Sequence, residues 1–138
     1  MLASCESVVN TPINEDRLYL LDPDKNMTFY TSDMLYLRYQ MGKVAYEKLK
    51  DQPIIIRLYE ESSHSLKEIA ILNNKGFNFT TINGEFKINI PKTRANFEDG
   101  VLNEIPLECT KCRLKLSSYA NEDYFSWSPA SFIIKSKE

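Results

Sequence analysis

Apolar and polar residues alternate with a period of two in several separate stretches of this chain, a spacing that suits a strand with one buried face and does not suit a helix. From Pro53 to Glu60, Ile54, Ile56 and Leu58 point one way while Ile55, Arg57 and Tyr59 point the other. Leu35, Leu37 and Tyr39 share a face opposite Tyr36 and Arg38. The last third repeats the pattern in Phe86, Ile88 and Ile90, in Cys112, Leu114 and Leu116, and from Tyr124 to Ile134, where Pro129 predicts a bend. Short strands separated by turn residues predict an all-β chain. The expected fold is an immunoglobulin- or fibronectin-III-like antiparallel β-sandwich of about seven to eight strands.

Between these stretches the punctuation is readable. Residues 1–16 form an extended lead-in and 17–136 a single domain. Arg17 to Asp22 reads as the first strand, stopped by Asp22-Pro23-Asp24-Lys25-Asn26. Gly42 to Asp51 reads as a short helix or an irregular connection. His64 falls in a polar turn, Leu66 to Leu72 in a strand, and Asn73-Asn74-Lys75-Gly76 in a turn before a short strand holding Phe77 and Phe79. Lys92 to Glu108 lacks period-two patterning and reads as a long acidic loop carrying Glu98, Asp99, Glu104 and Glu108.

Composition narrows the function. The chain has 138 residues, 17 basic and 19 acidic side chains and a net charge of -2, so there is no electrostatic footprint for nucleic acid. No apolar run is long enough to span a bilayer. Cys109 and Cys112 have the spacing of half a zinc site, but Cys5 and His64 are remote from them. The pair is either a local disulfide, partners for Cys5, or two buried thiols; reduced cysteines throughout would favour an intracellular assembly subunit. The sequons at Asn26 and Asn78 are candidate glycosylation sites and weigh toward a secretory route. Met1-Leu2-Ala3-Ser4-Cys5 is too short for a signal peptide and reads as the start of an expressed fragment.

No catalytic constellation converges. The acidic pairs are strand neighbours that point to opposite faces, and no nucleophile with a supporting acid can be matched to His64. Asp22, Asp24 and Asn26 imitate the start of a calcium loop, but Met27 replaces the required Gly, so a β-turn is expected. No metal or cofactor is implied. The expectation is therefore a non-enzymatic binding module. If the strands holding Tyr36 and Arg38 and holding Arg57 and Tyr59 pair, these side chains with Ile55 form one exposed face suited to ligand binding; the competing reading is that they only brace the sheet. Trp127 is expected in the core.

Several of these elements taken together resemble a known module. They are Asp22-Pro23, the Leu35, Leu37, Tyr39 series, the Ile54, Ile56, Leu58-Tyr59 series, Leu66-Lys67 with Ile69, the Gly84, Phe86, Ile90, Pro91 element, and the closing Tyr124, Trp127-Ser128-Pro129, Phe132, Ile134. The chain over residues 17–136 is similar to the amino-terminal domain of the yeast cell-wall synthesis Kre/Knh-like family, found in Ser/Thr-rich GPI-anchored surface proteins. The resemblance implies a sandwich acting outside the cell or at its surface, in wall assembly or display, with a cell-surface protein or polysaccharide as partner and no catalytic residues. The chain departs from that family in having no Ser/Thr-rich stalk, a longer segment from Lys92 to Glu108, and Tyr39 where the family has Trp. A structural spacer or protein-interaction domain of a larger surface protein is the alternative.

Overall fold

The computed structural model describes residues 14–137, and the period-two stretches in it are strands. In chain order the elements are β1 (Leu18–Leu20), β2 (Thr28–Tyr30), β3 (Met34–Met41), α1 (Lys43–Leu49), β4 (Pro53–Ser62), β5 (Ser65–Asn78), β6 (Asn83–Asn89), β7 (Thr93–Glu98), β8 (Val101–Pro106), β9 (Cys109–Ser118), β10 (Phe125–Trp127) and β11 (Phe132–Lys135). Strands β1, β3 and β6 form one sheet in that order. A second, six-stranded sheet runs β2, β11, β9, β4, β5, with β10 also paired to β9, and β7 pairs only with β8. Every pairing is antiparallel except that of β2 with β11.

The alternation decides what lies between the sheets. Leu18 and Leu20, then Leu35, Leu37, Tyr39 and Met41, then Phe86 and Ile88, face inward from the first sheet. Ile54, Ile56, Leu58, Leu114, Leu116, Phe132 and Ile134 meet them from the second in one continuous core. Burying each such side chain contributes about 2 kcal/mol relative to leaving it in water. Tyr39 lies nearly parallel to Phe86, with ring centroids 5.1 Å apart, and meets Phe79 edge-on at 5.5 Å. Its hydroxyl donates to the Thr81 carbonyl at 2.8 Å, so the buried phenol is satisfied. The ring can lie flat on β6 because its cross-strand partner is Gly84, where a Cβ would come within 2.8 Å of Tyr39 Cε2.

Helix α1 settles the segment after β3. Gly42 at its N-cap has no side chain to cap it; Glu15 does so instead, its carbonyl accepting from the Val44 and Ala45 N–H groups at 2.8 and 3.0 Å and its Oε1 from the Lys43 N–H. Ala45 and Leu49 are buried. The connection containing α1 carries the chain from β3 in the first sheet to β4 in the second.

Strand β9 is the centre of the larger sheet. β4 covers one side of it, and β11 and β10 divide the other, β11 opposite Cys109 to Cys112 and β10 opposite Lys115 to Ser117. Pro129 causes the division, since it has no N–H to offer a ladder. Ser128 repairs the junction: its N–H donates to the Leu114 carbonyl at 2.8 Å and its buried hydroxyl accepts from the Leu114 N–H at 3.0 Å. Nearby, one residue of β11, Ile133, lies across from two of β9, Thr110 and Lys111, because Phe132 lies opposite Cys112 and Ile134 opposite Cys109. In a regular strand residues three apart face opposite sides; the bulge turns both cysteines inward, where they are joined as a disulfide with Cα atoms 5.7 Å apart. Cys5 lies outside the described residues.

The all-β expectation holds, and among the described residues the strand count rises to eleven for identifiable reasons. Asn73-Asn74-Lys75-Gly76 does not reverse the chain; Lys75 adopts a positive φ of 68° and the segment bulges inside the long strand β5. The expected loop from Lys92 to Glu108 is a hairpin. Asp99 and Gly100, with φ of 52° and 77°, form its two-residue turn, which needs two positive φ values.

Ser128→Ala strands the buried Leu114 N–H, and we expect a loss of about 1–3 kcal/mol in urea unfolding. The paired change Cys109→Ala with Cys112→Ala removes a very short cross-link, so the same measurement should show a loss of only about 2 kcal/mol.

Candidate functional site

The four residues expected to share one binding face do not. β3 and β4 lie in different sheets, so Tyr36 and Arg38 point outward from the three-stranded sheet and Arg57 and Tyr59 from the six-stranded one. The physical reason is the α1 crossover: a tight hairpin would have paired β3 with β4, whereas this connection passes the chain to the opposite layer. Tyr36 is 53% exposed, with Lys87 Nζ 5.9 Å from its ring centroid. Arg38 is occupied structurally. Its Nε and an Nη donate to the two oxygens of Asp22 at 2.8 Å each, and its backbone N–H donates to Asp22 Oδ2 at 2.9 Å.

Arg57 and Tyr59 belong to a different constellation, built with β9 and β10. Cross-strand register sets Tyr59 beside Arg113 and places Arg57, Lys115 and Trp127 in one row across three strands. Trp127, expected in the core, instead lies half-buried on this outer face, because its pairing with Lys115 sets it on the side of β9 away from Leu114 and Leu116. Tyr59 meets it edge-on with centroids 4.9 Å apart, and Arg113 Cζ and Lys115 Nζ lie 5.3 and 5.7 Å from its ring centroid. Lys115 Nζ also lies 4.6 Å from the exposed Phe125 ring. Arg57 is drawn to Glu68 at 3.3 Å and, more distantly, Glu122 at 4.0 Å. Among the described residues Arg113 and Lys115 have no ion-pair partner. Burial pushes the Tyr59 phenol above its ordinary range, with Glu68 adding to the effect, so it stays a neutral donor.

Apart from this sheet face, a concave region of about 710 Å³ opens beside Phe125 around Asp16, Lys48, Asp123 and Tyr124. Three of its polar groups, Asp16, Lys48 and Tyr124, are spent on one another. The Tyr124 hydroxyl and Lys48 Nζ both donate to Asp16, and these hydrogen bonds, Tyr124's foremost, hold the Asp16 carboxyl below its usual range. A carboxylate so lowered is a poor base at neutral pH, and the cluster ties the segment before β1 to α1 and β10. His64 is exposed in the two-residue turn between β4 and β5. Among the described residues, no three His, Cys, Asp or Glu side chains group as metal ligands. Among the described residues, no helix is long and apolar enough to cross a membrane. Both sequon asparagines are exposed, Asn26 with its side-chain amide donating to the Ser131 carbonyl at 3.1 Å and Asn78 at the end of β5.

Sequence reasoning missed Arg113, Lys115, Phe125 and Trp127 as one group. The period of two was signal enough for part of it, because Arg113 and Lys115 alternate with the core residues Cys112, Leu114 and Leu116. What it lacked was the partner strand: only the β9–β10 register shows that Trp127 shares their face.

The Asp22–Arg38 pair generates a pH prediction. Hydrogen bonds from Arg38 hold the Asp22 carboxyl below its ordinary value of 3.8. A depressed folded pKa means the contribution is full above the unfolded value and is lost as pH falls through the folded one. Arg38→Ala should therefore cost about 1 kcal/mol at neutral pH. The variant and the parent should converge in urea unfolding once the pH is below the folded value.

A scan against protein-family models gives no match, and a search of curated proteins gives none. Among solved structures, the superoxide reductase (neelaredoxin) from Ignicoccus hospitalis is similar at 9% identity and a TM-score of 0.34, over 86% of this chain and 80% of that one. A variant of that protein aligns at 9% identity and a TM-score of 0.33, over 88% and 82%. A likeness this slight assigns no chemistry to the chain.

Proposed function

We propose that this domain is a non-catalytic binding and assembly module acting outside the cell or at its surface, and that it takes its ligand on the outer face of the six-stranded sheet. One observation carries the reading: Trp127 stands on an open sheet face with Tyr59, Arg113 and Lys115 around its ring, and the two cations have no ion-pair partner among the described residues. Aromatic rings and Arg are the groups that carry energy at recognition surfaces, and a flat indole offers a platform for a sugar ring or another planar group. Two cations beside it that no carboxylate neutralises among the described residues, Arg113 donating only to the Ser128 carbonyl, select for negative charge. The ligand chemistry is thus a flat or apolar group bearing acid. The sequence resemblance to cell-wall Kre/Knh-like domains favours a wall or surface polysaccharide as its source; an acidic segment of a surface protein has the same chemistry. A structural spacer would need no such face.

The test is a glycan array with a wall-polysaccharide pull-down, run on the parent, on Trp127→Ala and on Tyr36→Ala. Tyr36 projects from the opposite sheet, so its loss should leave binding intact, whereas Trp127→Ala should weaken it about tenfold or more. Equal weakening by both variants would exclude this face. No retention of the parent by any glycan would remove polysaccharide as the ligand.

A further inference from the structure

The β7–β8 hairpin leaves the body of the domain between β6 and β9, and its main contact beyond its own ladder is with β5. Strands of this length reach about 20 Å. Register places Phe97 directly opposite Leu102, and Val101 lies beside the turn opposite Glu98. Phe97 is 71% exposed, Leu102 66% and Val101 55%. Three large apolar side chains at the tip of a projecting arm cost solvation free energy that nothing in the monomer recovers. The tip itself carries Glu98 and Asp99, with Glu104 further down the ladder opposite Ala95; none of the three is in an ion pair among the described residues, and the hairpin's one base, Arg94, lies toward its root.

Charge decides what can cover such a tip. An anionic lipid surface would repel it, and two tips placed together would oppose acid with acid. The outer face of the six-stranded sheet has the opposite character, with exposed Phe125, half-buried Trp127, and the unpaired cations Arg113 and Lys115. We infer that the hairpin tip of one copy docks on the outer sheet face of a second copy, Phe97 and Leu102 against Phe125 and Trp127, with the acidic rim against Arg113 and Lys115. The inference rests on reading that face as a recognition surface and names its partner. Because the two surfaces differ and both belong to one chain, the contact is head-to-tail, and it propagates into a filament or closes as a ring. Glycan and hairpin would then compete for one face.

Sedimentation velocity on the full chain tests this with two surface variants, Phe97→Asp on the hairpin and Lys115→Glu on the face, with Arg113→Glu as a second face variant and circular dichroism to confirm folding. The parent should form species larger than dimers as concentration rises toward about 1 mM, weakening with added salt. Each variant alone should lose self-association by about tenfold or more. A mixture of Phe97→Asp with Lys115→Glu retains one intact face and one intact hairpin, so it should recover a single one-to-one dimer and nothing larger. A parent that stays monomeric overturns the inference, as does a mixture that stays monomeric. Self-association of Lys115→Glu and Arg113→Glu undiminished beside a monomeric Phe97→Asp would assign hairpin-to-hairpin contact and overturn the docking face. A monomeric parent that still binds glycan through Trp127 would sink this inference alone, and association without glycan binding would remove only the polysaccharide.

Discussion

The hydrogen bond from the Leu114 N–H to the Ser128 hydroxyl holds together the strand on which the domain is organised. β9 lies between β4 on one side and a partner cut in two by Pro129 on the other. A proline in a central ladder removes a donor and bends the chain, and a buried backbone group left without a partner there is costly. The serine side chain supplies the acceptor that the interrupted backbone no longer offers. Two consequences follow from one residue pair. β11 is free to step sideways and pair with β2, which ties the ends of the domain together, and β10 remains beside β9 with Trp127 turned outward. The Ser-Pro dipeptide, conspicuous in the sequence, is therefore an architectural joint, and its neighbour Trp127 is the residue it presents.

The same separation of roles runs through the charged and aromatic side chains. Arg38 is held by both oxygens of one carboxylate and locks the turn after β1 to β3; Asp16 is held by Tyr124 and Lys48 and anchors the approach to β1. Such groups have their valences filled within the domain and little left for a ligand. Arg113 and Lys115 are different, because the rings beneath them attract cations without neutralising them. Counting how each charge is already satisfied separates structural from available groups better than exposure does. Arg38 is more exposed than Arg57, yet it is the more fully engaged.

The β7–β8 arm is the least constrained part of the fold. Its ladder is its own, it contributes little to the main core, and its apolar residues face water. Two-stranded hairpins of this kind are marginal alone, so the arm depends on its root, where the Leu107 N–H donates to the Lys92 carbonyl and Leu107 is fully buried. That anchoring gives an extended acidic tip a fixed direction, the property that makes it a candidate for contact with another molecule.

The alternation of Ile54, Ile56 and Leu58, of Leu114 and Leu116, and of Leu35, Leu37 and Tyr39 was by itself enough to determine the all-β class and most of the core, because burial of one strand face is a local property that leaves a mark at every second residue. It also determined that Tyr36, Arg38, Arg57 and Tyr59 face outward. It did not determine which of them are neighbours. That depends on strand pairing, and pairing followed from the α1 crossover and the break at Pro129, which bring together residues remote in sequence. Local chemistry at Asp99-Gly100 could have revealed the hairpin; acidic composition masked it. The inward turn of both Cys109 and Cys112 was illegible for the opposite reason, since a three-residue spacing contradicts strand periodicity until a bulge restores it. The sequence wrote which side of each strand meets water, and only the tertiary structure decided whose side chains share that side, because register and layer are set by long-range contacts that no local pattern encodes.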